Sequence, residues 1–166
     1  MSKPLAFIDV DGVLNRIISK TISAGEKPRD GLFEHFARPY ATSREYRLWL
    51  DRNDADMLHS LEPDFELAWG TTWGNANDTV GTAIGLRPLE LAAVAKMSDY
   101  AKAPGILRVA DGRPFVWFED LEGQNSLELY ASDMGYTQPF KVIKIDPYVG
   151  LEAKHIEEAR NWYDQL

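Results

Sequence analysis

Cysteine is absent from the 166 residues. Its absence removes disulfides, thiolate nucleophiles and Cys-ligated zinc together, and it fits a reducing cytoplasm. No apolar run approaches the roughly 20 residues of a membrane span, and the opening MSKPLAFIDV lacks a signal peptide's basic flank, long apolar stretch and cleavage site. The expectation is a cytoplasmic protein with no membrane partner. Repeats, low-complexity tracts and Pro-, Gly- or Ser-rich linkers are missing too, so one domain over residues 1–166 is expected, with no obligate protein partner evident. No GxxxxGK phosphate loop and no GxSxG occurs, and the three histidines, His35, His59 and His155, are too scattered for a His-ligated metal site.

What remains is an ordinary globular composition, 45% hydrophobic and 27% charged. A chain of about this length buries roughly 68–70% of the surface its unfolded form exposes, enough for a core without staples. The net charge of −8 disfavours non-specific binding to nucleic acid by the chain as a whole. Between Asn15 and Arg47, however, seven basic residues face four acidic ones, a balance of +3 that leaves −11 for the rest. This stretch reads either as scattered solvated charges or as a local anion-binding surface that includes Arg29 and Arg38.

Four short apolar runs read as strands buried in a parallel sheet: residues 5–10 (LAFIDV), 65–69 (FELAW), 114–118 (PFVWF) and 141–145 (KVIKI). Helix-like stretches at 54–61, 75–84, 104–110 and 152–166 lie between and after them. Strands alternating with helices imply right-handed βαβ units and a layered α/β fold. Residues 15–51 break that alternation, and their Gly, Pro and aromatic content suggests a flap or hairpin inserted after the first strand.

Ligands of such sheets bind at the carboxyl ends of the strands. The first strand ends in Asp9-Val10-Asp11-Gly12, the second in Gly70-Thr71-Thr72, the third in Glu119-Asp120 and the fourth in Asp146-Pro147. Asp9 and Asp11, two apart at a strand end, bring two carboxylates into one small volume. A divalent cation with oxygen ligands is the economical compensation, and Mg2+ takes one or two carboxylates together with waters and phosphate oxygens. Gly12 lets the backbone turn sharply and come close to an anion. By itself this quartet also simply makes a turn. The later strand ends shift the balance: Glu119 and Asp120 add carboxylates, Thr71 or Thr72 offers a hydroxyl to a phosphate oxygen, and Lys102 adds a positive charge between them. Trp73, just past the threonines, packs in the core or stacks on a base or sugar.

In this order these residues resemble the haloacid dehalogenase superfamily of aspartate-nucleophile phosphohydrolases. FIDVDGVLN (residues 7–15) is similar to its first motif, ELAWGTTW (66–73) to its second, Lys102 to the third-motif Lys, and FVWFED (115–120) to the acidic fourth, with Glu119 replacing the commoner Asp. Trp73 with Asn77, the GRPFVWFED run from Gly112 and the tail at 146–162 further resemble small members of the superfamily associated with RNA-repair proteins.

The resemblance implies a Rossmann-like parallel sheet flanked by helices, with a small flap or minimal cap at about 15–51. It implies a Mg2+-dependent phosphomonoester hydrolase in which Asp9 is the nucleophile and Asp11 the general acid/base, working through an aspartyl-phosphate. The Asp9 carboxylate, the Asp11 backbone carbonyl and Glu119 and/or Asp120 would hold the metal. Thr71, with Thr72 as alternate, and Lys102 would offset charge on the phosphoryl oxygens. The substrate is expected to be a phosphorylated small molecule such as a nucleotide, or a nucleic-acid end, bound with help from Gly12, Thr72, Trp73, Arg29 and Arg38. The alternative is a phosphate-recognising or phosphoacceptor signalling module without efficient turnover.

Overall fold

A computed structural model describes residues 2–18, 31–92, 102–120 and 123–166. Its centre is β1 (Leu5–Ile8), four residues buried on both faces because parallel neighbours flank it on each side. β4 (Glu66–Trp69) pairs with one edge of β1 and β6 (Phe115–Glu119) with the other. A two-residue β5 (Glu90–Leu91) extends the sheet beyond β4, and β7 (Phe140–Lys144) extends it beyond β6. The order β5-β4-β1-β6-β7 is five-stranded and wholly parallel, compatible with a Rossmann-like fold. All four strands expected from the sequence are present, their limits shifted by one or two residues.

Alternation along the strands gives the sheet two apolar faces. Leu5, Phe7, Ala68, Phe115 and Trp117 pack beneath α3 (Lys102–Ala110) and α4 (Gly123–Asp133). Ala6, Ile8, Leu67, Trp69, Val116 and Phe118 face the other layer, which includes α1 (Asn53–His59) and α5 (Ala153–Tyr163). The expected helix at 75–84 is instead a π-helical turn (Asn77–Gly81) running into a three-residue α2 (Thr82–Ile84). Asn77 explains the wider turn. Its side chain accepts from Trp69 Nε1 (2.7 Å) and from the Leu89 backbone N–H (2.8 Å), which draws this segment onto β4.

Within the 15–51 insert, β2 (Leu32–Ala37) and β3 (Tyr46–Asp51) form an antiparallel hairpin separate from the main sheet. Its inner residues Leu48 and Leu50 join the core on the α1 and α5 side. Among the described residues no helix is long and apolar enough to cross a membrane.

Candidate functional site

The chain runs outward from β1 through β4 to β5, then crosses by way of α3 to β6 on the opposite edge of β1. Such a reversal opens a crevice at the carboxyl ends of the two diverging strands, here β1 and β6. Asp9 follows β1 directly, Glu119 ends β6, and Lys102 is the first residue of the intervening helix α3. The topology alone brings these three together.

Lys102 Nζ donates to Asp9 Oδ2 at 2.8 Å and to Glu119 Oε2 at 2.9 Å, and all three side chains are at least 96% buried. Oxygens of Asp9, Glu119 and Asp120 lie within 4.8 Å of one another. Among the described residues, three carboxyl groups thus crowd together and one ammonium bonds two of them. Burial, then repulsion from Glu119, holds the Asp9 carboxyl well above the usual carboxylate range, against the opposing pull of Lys102 and a hydrogen bond from Thr71. Burial raises Glu119 and Asp120 as well. The same carboxylates outweigh the desolvation of Lys102 and keep its ammonium charged. The second oxygens of Asp9 and Glu119 are anchored locally, Asp9 Oδ1 by the Val10 N–H (2.8 Å) and Glu119 Oε1 by the Asp120 N–H (3.0 Å).

Close packing beneath the cluster depends on Gly70. A Cβ there would stand 2.9 Å from Trp117 Nε1, which donates to the Gly70 carbonyl at 3.2 Å. The Trp117 ring in turn lies 5.8 Å from Lys102 Nζ, a cation–π contact at the floor of the cluster. Thr71 is buried beside Asp9, whereas Thr72 is half-buried and its backbone carbonyl accepts from the Tyr40 hydroxyl. Of the two threonines, Thr71 is therefore the one next to the carboxylates.

Asp11 stands apart from the cluster. Its Oδ1 accepts from Asn15 Nδ2 (2.8 Å) and its Oδ2 from Trp73 Nε1 (2.9 Å). Trp73 is only 3% exposed, so its ring packs in the core and offers no open face for a base. Gly12 does bring backbone close to an anion, but the anion is the protein's own Asp120: at φ +76° it lies so near that carboxylate that any Cβ would collide with it. Asp146 lies outside the carboxylate cluster; its Oδ1 accepts from the Tyr148 N–H (2.9 Å) to make a turn.

The basic insert needs a correction. Arg16 is buried and ion-paired with Asp54, so it contributes nothing to an exposed surface. Arg47 pairs with Glu34 at 3.3 Å and stacks on Trp49, while Arg44 stacks on Tyr46. Arg38 is exposed, and its backbone carbonyl accepts from Asn75 Nδ2 (2.7 Å), which holds this end of the hairpin on the loop that follows Thr72. Arg29 lies outside the described residues. Motif and spacing assign no role to Asn15, and Arg16 counts in the sequence only toward the +3 balance of its stretch. The signal for both was their position directly after the DxDG turn, where the chain is still part of the site's frame.

The donor set fits a hard divalent cation. It consists only of carboxylate oxygens, from a chain without cysteine, and among the described residues three carboxyl groups meet one ammonium there. No family model matches the chain, and no curated protein or solved structure is significantly similar to it.

Proposed function

We propose that this chain is a Mg2+-dependent phosphomonoester hydrolase of the haloacid dehalogenase type, working through an aspartyl-phosphate on Asp9. The observation that carries the reading is the contrast between two aspartates only two residues apart. Asp9 faces an ammonium and a hydroxyl inside a carboxylate cluster, while Asp11 lies outside that cluster between two N–H donors. Paired carboxyl groups held in different environments are how one site divides nucleophile from acid/base.

In the first step an Asp9 carboxylate oxygen attacks phosphorus, the bond to the leaving oxygen breaks, and Asp11 gives that oxygen its proton. In the second, Asp11 takes a proton from water as the water oxygen attacks phosphorus, and the bond to Asp9 breaks to release inorganic phosphate. Lys102 and Thr71 stabilise the phosphoryl oxygens as charge shifts onto them. Asp9, Asp120 and Glu119, with the Asp11 backbone carbonyl, would hold Mg2+, whose charge, when bound, lets a phosphate dianion approach the carboxylates. The β2–β3 hairpin serves as the flap, with Arg38 at its end drawing in a phosphorylated small molecule or a nucleic-acid end. The cytoplasm is the matching compartment.

The test is phosphate release with Mg2+ over nucleotides, sugar phosphates and 5′- and 3′-phosphorylated oligonucleotides. Release abolished by EDTA and restored by Mg2+ is the expected result. Full activity in chelator sinks the metal assignment, and phosphate binding without any release would favour a recognition module.

A further inference from the structure

We infer that Asn15 and Trp73 are positioning residues that fix the orientation of the Asp11 carboxyl group for proton transfer; this rests on reading Asp11 as the general acid/base. The terminal torsion of an aspartate is broad and roughly two-fold, so a half-buried carboxyl on a loop does not by itself aim its proton. Here each oxygen meets a different N–H: Asn15 Nδ2 at 2.8 Å on Oδ1 and Trp73 Nε1 at 2.9 Å on Oδ2. Two donors on opposite oxygens set the carboxyl plane. A carboxylate has about four lone-pair sites, so both bonds leave room for the proton in transit.

Both donors are themselves held by the hairpin. Asn15 Oδ1 accepts from the Trp49 backbone N–H at 2.9 Å, and that bond determines which end of the amide faces Asp11. The Trp73 ring lies against Tyr46, centroids 6.5 Å apart. An indole N–H can only donate, so Trp73 cannot compete for the proton. The same short loop also reaches the nucleophile: Thr71, buried beside Asp9, accepts the Trp73 backbone N–H on Oγ1 at 3.3 Å. Residues 71–73 therefore lie beside both aspartates, Thr71 next to Asp9 and the Trp73 indole on Asp11.

The experiment uses the full chain with Mg2+, comparing Trp73→Phe and Asn15→Asp with wild type on an alkyl phosphate and on p-nitrophenyl phosphate. Trp73→Phe keeps a ring and removes the donor; Asn15→Asp keeps the acceptor for Trp49 and removes the donor. Leaving-group protonation matters for the alkyl ester and little for the nitrophenyl ester. A lost general acid typically costs about 10²–10⁴-fold, so a misaimed one should lower kcat/KM on the alkyl ester by roughly 10–100-fold. On the nitrophenyl ester kcat/KM, which reports the steps up to departure of the leaving group, should fall less than about threefold, while kcat on both esters also carries the shared hydrolysis of the aspartyl-phosphate. The ratio of the two rates in one preparation is independent of how much of the variant is folded. Equal loss of kcat/KM on both esters, or no loss on either, overturns the positioning role while leaving the phosphatase reading intact. A wild-type protein inactive on every phosphomonoester overturns the phosphatase reading itself and the positioning role with it.

Discussion

Two buried charge clusters among the described residues, around Arg16 and around Lys102, are built on opposite rules. Around Arg16 one guanidinium meets one carboxylate, and the remaining donors find backbone carbonyls: Nη1 and Nη2 bind Asp54, Nη1 also Leu14 O (2.8 Å), Nη2 also Leu151 O (3.3 Å), and Nε Val149 O (3.2 Å). All five N–H groups of the arginine are used and the charges cancel. This clasp ties the start of the insert to α1 and to the segment before α5. Around Lys102, among the described residues, one ammonium bonds two carboxyl groups and a third lies beside them, so acidic groups outnumber the cation. The paired cluster holds the fold together, whereas the acidic one is where the proposed Mg2+ would sit.

The difference is broken most forcefully at Asp54. Asp54→Ala leaves the Arg16 guanidinium buried without its counter-ion, and urea unfolding should show a loss of about 3–5 kcal/mol. The Arg16→Met/Asp54→Leu double variant should recover part of that loss, because an apolar pair restores neutrality even though three carbonyls lose their donor.

Next in size is the response of the acidic cluster to pH and Mg2+. Carboxyl groups raised by burial bind more protons in the folded than in the unfolded chain, so their contribution to stability falls as pH rises from the ordinary carboxylate range through the raised values. In EDTA they should therefore lower Tm as pH rises. Mg2+ needs ionised ligands, so the gap between Tm in Mg2+ and Tm in EDTA should widen between roughly pH 5 and pH 8. At about 100 times Kd the gap corresponds to about 2.7 kcal/mol. His155 acts in the opposite sense. Burial, then Lys154, lowers it, so its contribution is lost as pH falls from the ordinary His value of about 6.5 through the lowered one. Because it is common to both arms, it drops out of the difference. A gap that stays flat with pH would contradict Mg2+ binding at the acidic cluster.

Asp120→Asn sharpens the contrast with Asp54. Removing a carboxylate from the crowded site should leave Tm in EDTA unchanged or higher, while the Mg2+ concentration for half-maximal activity rises by roughly 10-fold or more. The smallest effect is expected at the hairpin. Arg38 is exposed, and exposed charge pairs are worth about 1 kcal/mol or less, so Arg38→Glu should raise KM for a phosphorylated substrate by roughly 2–5-fold, less at high salt, with kcat unchanged.

The sheet was legible because each main strand is a short apolar run ending in polar residues, a pattern that a parallel strand buried on both faces requires. β5 escaped because two residues carry no period, and α4 because its buried stripe is narrow, resting on Leu127 and Ala131. Asp9, Glu119 and Asp120 were legible as carboxyl-end residues of a βαβ order, and Lys102 only as a cation lying between them in sequence. The clasp was not: Arg16 and Asp54 are 38 residues apart, and nothing local in a lone Arg and a lone Asp says that they meet. Trp73 left two readings open because burial is a tertiary property. Gly12 illustrates a subtler limit, since close approach to an anion was readable from its place after the DxD, but the identity of that anion was not.

The most direct measurement is the intact mass of acid-quenched protein after exposure to Mg2+ and p-nitrophenyl phosphate. With Asp9 as nucleophile and Asp11 as the base that activates water, Asp11→Asn should accumulate one phosphoryl group on Asp9 while Asp9→Asn carries none. A phosphoryl group found on any residue other than Asp9, or none on the Asp11→Asn protein while the wild type turns over, would contradict the account.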